Sequence, residues 1–150
     1  MPLDFSEIIL SIEEREHDGL LAMKEQDVSK PLSEGKWSKK EILGHLIDSA
    51  SNNHQRFVRA QLEDNFDFPN YSQMDWVSTQ DYADENWQLL VDLWSAYNLH
   101  IAHVIASMPP EKLDVLCGIG GNEPVRLEDL IDEYVKHMEH HLKQINGTAG

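Results

Sequence analysis

Four separate stretches of this chain return an apolar side chain every three to four residues, a period that only helices can bury on one face. The clearest begins at Ser38, a good N-cap, with Glu41 three residues on to complete a capping box. Trp37 stands just before the cap, where it can staple onto the first turns. Ile42, Leu43, Leu46, Ile47, Ala50, Phe57 and Val58 follow at helical spacing, and this helix is expected to fade near Glu63. An earlier helix is predicted from about Phe5 to Gln26, with Ile8, Ile9, Ile12, Leu20, Leu21 and Met23 apolar around a charged middle. A later one, from about Asp84 to Met108, carries Leu90, Leu93, Trp94, Tyr97, Ile101, Val104 and Ile105 and is ended by Pro109-Pro110. The last runs from about Leu127 to Ile145. Glu128 and Asp129 suit its positive end, and Gly147 suits its terminus.

Four such helices without convincing strands predict an all-α fold, a four-helix bundle. The 150 residues suit a single domain over 1–150, with no internal repeat. Asp27 to Lys36 reads as a loop through Pro31, Ser33 and Gly35. The stretch from Glu63 to Asp84 is long for a structureless connection, so short helical turns or a covering role are expected there. Glu111 to Arg126 is glycine-rich and leaves room for a small hairpin.

Charge excludes some partners. With 27 acidic and 12 basic residues the formal charge is −15, which repels phosphate backbones and anionic membrane surfaces. No nucleic acid or membrane partner is therefore expected. No apolar run approaches a bilayer span, and Met1 to Glu7 lacks the basic start of a signal peptide. Cys117 is the single cysteine, in keeping with a cytoplasmic location.

The eight histidines are clustered. His137 and His141 are one helical turn apart, so their rings share a side, about 5–6 Å apart at Cβ. That spacing allows two imidazoles to hold one metal ion, although such a pair is more often only a surface feature. His141 falls within the apolar stripe of its helix and His137 at its edge, while His140 points away. A third ligand is needed for a useful site. His45, on the polar edge of the second helix, and His54, nearer its apolar face, both qualify, and spacing does not choose between them. His100 and His103 form a separate pair. Asp48, one turn after His45, reads more readily as a solvated acid than as a group orienting a ligand. Arg56 and Arg59 could steer an anionic thiol or carboxylate, or pair with the many acids. Trp76, Trp87 and Trp94 read as packing residues.

The segment Trp37-Ser38-Lys39-Lys40-Glu41-Ile42-Leu43-Gly44-His45-Leu46-Ile47-Asp48-Ser49-Ala50 resembles the first signature of the DinB-like superfamily. Tyr134-Val135-Lys136-His137-Met138-Glu139-His140-His141 is similar to its second. The order and separation also match, so the resemblance spans nearly the whole chain, nearest to the YfiT-like metal-dependent hydrolases and the bacillithiol S-transferases. It implies an up-down-down-up bundle and a divalent metal, zinc or nickel, on His45, His137 and His141. It also implies a small-molecule substrate, with a low-molecular-weight thiol among the possibilities. The metal would activate that thiol or a water, giving S-transfer or hydrolysis, with transfer slightly favoured. A non-catalytic metal-binding or stress-response module is the alternative. Relatives of this kind are often dimers. Phe68, Tyr71, Trp76 and Trp87, clustered in or beside the long connection, give a physical reason to expect a homodimer.

Overall fold

The computed structural model describes residues 4–63 and 65–147. Met1 to Leu3, part of the stretch read above for a signal peptide, lie outside the described residues. Among the described residues six α-helices are formed: α1 (Phe5–Leu21), α2 (Glu25–Val28), α3 (Lys39–Arg59), α4 (Gln73–Gln80), α5 (Trp87–Ala106) and α6 (Leu127–Asn146). The helix starts follow their capping chemistry. Asp4 accepts from the Glu7 amide and Asn86 from the Leu89 amide, while Ser38 and Glu41 complete both halves of their capping box. Gly147, at φ 73°, closes α6 in the left-handed conformation that glycine adopts without penalty.

Side-chain contacts fix the directions of the four long helices. The Trp87 indole N–H donates to the Leu20 carbonyl at 2.6 Å and the Ser95 hydroxyl to Glu13 at 2.6 Å, so α1 and α5 run antiparallel. Tyr82, just before α5, packs on Gly44, and Tyr97 meets His54 further along, so α5 runs parallel to α3. His45 meets His141 at one end of the α3–α6 pair and Phe57 meets Tyr134 towards the other, so these two are antiparallel. The bundle is therefore up-down-down-up.

The shared core contains Ile9, Ile12, Leu43, Phe57, Leu90, Trp94, Ile101, Ile131, Met138 and Leu142, all essentially sealed from solvent. Leu93, expected on the buried face of α5, instead points outward at 42% exposure. By length and composition alone α5 would also pass as a membrane span. Its apolar residues Leu90, Val91, Trp94 and Ile101 are seated in the bundle core.

Two connections differ from the sequence reading. α1 stops at Leu21 rather than near Gln26, because Glu25 is used to tie helix starts together. Its carboxylate takes the Lys40 ammonium at 2.6 Å and the Trp87 amide at 3.3 Å. α3 ends at Arg59, short of Glu63, where the Arg59 guanidinium stacks over Phe66 at 4.2 Å. The hairpin expected after Glu111 is present as β2 (Leu116–Ile119) paired antiparallel with β3 (Val125–Arg126). Parallel pairing with β1 (Asp67–Phe68) was not foreseen.

The segment from Gln73 to Asp84, α4 followed by a 3-10 turn at Tyr82–Asp84, lies across α3. This is the covering role that the length of the connection suggested. The aromatics read as a surface cluster are distributed differently. Phe68 and Trp87 are buried, Tyr71 packs on Trp76 with ring centroids 5.2 Å apart, and only Trp76 is exposed. Leu89, Leu93 and Leu99 on α5 and Leu10 on α1 are also exposed.

Candidate metal centre

α3 and α6 cross where His45 faces His137 and His141. The three rings offer nitrogens that all lie within 4.8 Å of one another, a set able to hold a metal ion. His45 Nε2 is 3.0 Å from His137 Nε2. Two ligands at about 2.0–2.1 Å from a tetrahedral zinc would sit about 3.3 Å apart, so this spacing needs little adjustment. The His141 Nδ1–H donates to Gln144 Oε1 at 2.7 Å. That bond fixes the tautomer and leaves the Nε2 lone pair free, the usual arrangement of a metal-bound imidazole. His45 Nδ1 is buried without a partner. The residues present thus fit a divalent ion bound by three neutral imidazoles.

Electrostatics favour the same state. Burial, reinforced by His137 and His141, pushes His45 down to about 3. Burial with His141 and His140 pushes His137 down to about 4. Burial also lowers His141, the Gln144 hydrogen bond opposing it. Values depressed below the ordinary 6.5 mean that the unfolded chain takes up protons first. Folding is therefore most stable above that pH and loses stability as it falls towards 4. Zinc competes with protons on the folded chain's own imidazoles, so we expect zinc affinity, measured by calorimetry, to hold from neutral into mildly acidic solution and to fall as pH approaches 4. An affinity already falling steeply around the ordinary 6.5 would show that the three rings are not buried as neutral groups.

Of the two α3 histidines that spacing left open, packing brings His45 to the pair on α6. His45, placed on a polar edge by its helical wheel, is 1% exposed, because Trp37, His137 and His141 pack around its ring. Asp48, read as a solvated acid, is buried because the strap from Gln73 to Asp84 covers its flank of α3. Its Oδ1 accepts from Tyr82 Oη at 2.7 Å and Gln80 Nε2 at 2.8 Å, and its Oδ2 has no partner. Burial raises its pKa, with those two bonds opposing. The spacing of one turn from His45 was the available signal, and the covering strap was not visible in it. His54 is not brought to the triad. Its Nδ1 lies 3.0 Å from Tyr97 Oη, and its ring meets His100. His103 and His140 are exposed.

Trp37 packs against His45 with centroids 5.1 Å apart. It also lines a recess of about 470 Å³ that reaches His141, with Leu32, Ile42, Met74 and Gln144. A second recess, of about 200 Å³, reaches His137 and is lined by Asn53, Arg56, Gln73 and Glu133 beside Ile119 and Leu130. A third cavity, of about 380 Å³, shares Arg56 with the second and is otherwise lined by residues such as Arg59, Trp76 and Tyr97.

A family model described as the DinB superfamily matches residues 13–145. A protein of Halalkalibacterium halodurans, provisionally named a metal-dependent hydrolase, is 24% identical over 139 residues, covering 91% of this chain and 80% of its own length. A Bacillus licheniformis protein with the same kind of name is 25% identical over 126 residues, covering 82% of this chain and 70% of its own. Among solved structures, YfiT from Bacillus subtilis superposes with a TM-score of 0.86 at 17% identity, over 96% of this chain and 83% of its own. Its description gives an unusual four-helix bundle topology, and at that identity the likeness speaks for the fold. The family match extends through α3 and α6 with all three histidines, and by it the chain belongs to the DinB superfamily.

Proposed function

We propose that this chain is a metal-dependent hydrolase whose centre is His45, His137 and His141. The carrying observation is that recesses reach two of the three rings, leaving room for a substrate beside an ion held by only three protein ligands. A closed structural site would instead surround its metal with four. The names of the relatives support hydrolysis over the S-transfer that sequence resemblance slightly favoured.

The chain's own residues have separable tasks. His45, His137 and His141 hold the ion as neutral rings, and Gln144 orients His141. When bound, a divalent metal supplies Lewis-acid polarisation of a carbonyl and lowers the pKa of a water or thiol. Trp37, Leu32 and Met74 present apolar surface to the body of a small substrate. Asp48, buried with a free oxygen, is held in place by Tyr82 and Gln80. A homodimer and a cytoplasmic location remain part of this reading, the first resting on the leucines of α5 rather than on the loop aromatics.

Zinc- and nickel-loaded protein should be assayed on a panel of small esters and amides, and in parallel with low-molecular-weight thiols and an electrophilic arene. We expect ester or amide turnover that a chelator abolishes and added metal restores. Turnover with thiols alone would reassign the centre to S-transfer. A fully loaded protein inert on both panels would mark it as a non-catalytic binding module.

A further inference from the structure

Two of the four arginines in this acidic chain have found carboxylates. Arg15 pairs with Glu16 at 2.9 Å and Glu139 at 3.4 Å, and Arg126 pairs with Asp114 and Glu128. Arg59 is exposed and stacks over Phe66. Arg56 is half-buried, yet among the described residues its side chain has neither an ion pair nor a hydrogen bond. Its one recorded neighbour is the Tyr71 ring, whose centroid is 6.0 Å from the guanidinium carbon. With 27 acids in the chain, a desolvated cation without a counterion is conspicuous. Burying a charge unpaired is unfavourable, so a site that does so is built for an anion that comes from elsewhere.

Its position says which anion. Arg56 follows His45 by eleven residues, three turns of α3, so both project from one face of the helix. Ser49 and Asn53 occupy the same face between them. Arg56 lines the recess of about 200 Å³ that reaches His137, together with Asn53, Tyr71, Gln73 and Tyr134. The two positions are about 16 Å apart along the axis, and long helical side chains lean back towards the N-terminus, which shortens the gap. A molecule bound at Arg56 thus reaches the histidines with its other end.

We propose that Arg56 anchors a carboxylate on the substrate of the histidine centre, several bonds away from the group that reacts. This rests on the hydrolase reading above and narrows its substrate class to small carboxylic acids. The guanidinium presents a fork that matches a carboxylate, and Asn53 and Gln73 add neutral amide donors. A phosphate dianion suits the recess less well. Arg56 is its one cation, the exposed Glu133 stands among its lining residues, and the surrounding protein is strongly negative. Burial lowers the pKa of Arg56, the sign of a charge short of solvent.

The test uses benzoate, benzamide and inorganic phosphate as probes on both metal-free and zinc-loaded protein, above neutral pH where the imidazoles are uncharged. Benzoate should move the Arg56 Nε–H resonance saturably in both forms, whereas benzamide should not. Arg56→Met should weaken benzoate by at least about tenfold in the metal-free protein while zinc affinity stays unchanged. Arg56→Lys, which keeps the charge but loses the fork and preserves the fold should the methionine not, should fall between. Equal benzoate affinity in Arg56→Lys, Arg56→Met and the native chain overturns the anchor. So does phosphate binding more tightly than benzoate. If the protein took up no metal yet bound benzoate through Arg56, the anchor would stand and the hydrolase reading would fall. Metal uptake with benzoate binding indifferent to Arg56 would do the reverse.

Discussion

His45→Ala, His137→Ala and His141→Ala are each expected to lower zinc affinity by at least about 100-fold, because loss of an outer hydrogen-bond partner alone costs metal sites about 10–100-fold and a ligand must count for more. Each removes one of three imidazoles converging within 4.8 Å. His54→Ala, His103→Ala and His140→Ala should leave affinity unchanged. The informative contrast is His45 against His54, since both lie on α3 and both are aromatic neighbours of a second histidine. Competition with a chromogenic chelator gives the affinities. If His54→Ala abolished binding while His45→Ala did nothing, the assignment of the centre would be wrong.

Gly44→Ala should destabilise the fold by about 2 kcal/mol, although helix propensity argues for the opposite sign. Alanine is favoured over glycine inside a helix by about 1 kcal/mol. A Cβ at position 44, however, would stand 2.2 Å from Tyr82 Cδ2 and 2.3 Å from Cγ. Overpacking a filled site costs about 1–3 kcal/mol and sometimes more, and contacts this short belong at the upper end. The ring cannot simply swing away. It is 4% exposed, and its hydroxyl donates to the buried Asp48. Displacing it would also disturb α3 beside His45 and the buried Asp48 one turn on, so weaker metal binding should accompany the lost stability. Urea unfolding of the metal-free protein measures the first effect. A more stable variant would show that Tyr82 yields freely.

The parts legible in the sequence were those written in local periodicity. Ser38 and Glu41 announced the start of α3, and the stripe from Leu127 to Ile145 gave α6 and set His137 and His141 on one side. The parts that were not legible depend on contacts between distant segments. A helical wheel places His45 and Asp48 on a polar edge, because it carries no knowledge of Trp37 and α6 closing over the one or of residues 73–84 folding over the other. The same blindness put Leu93 inside, since a stripe of apolar residues wider than the buried face looks continuous in sequence. The pairing of β1 with β2 joins two irregular connections about fifty residues apart in the chain, and strands of two to four residues leave no periodic trace. His45 was selected over His54 by resemblance, and the structure supplies the physical reason, since His54 is engaged by Tyr97.

Anomalous diffraction at the zinc or nickel edge, on crystals of protein loaded with that metal, shows directly whether one ion is held by His45, His137 and His141. We expect a single peak per chain, about 2.0–2.1 Å from one nitrogen of each of the three rings and with a coordination position left to solvent or substrate. A strongest peak at His54 and His100, or no ordered peak between α3 and α6 in loaded crystals, would contradict it.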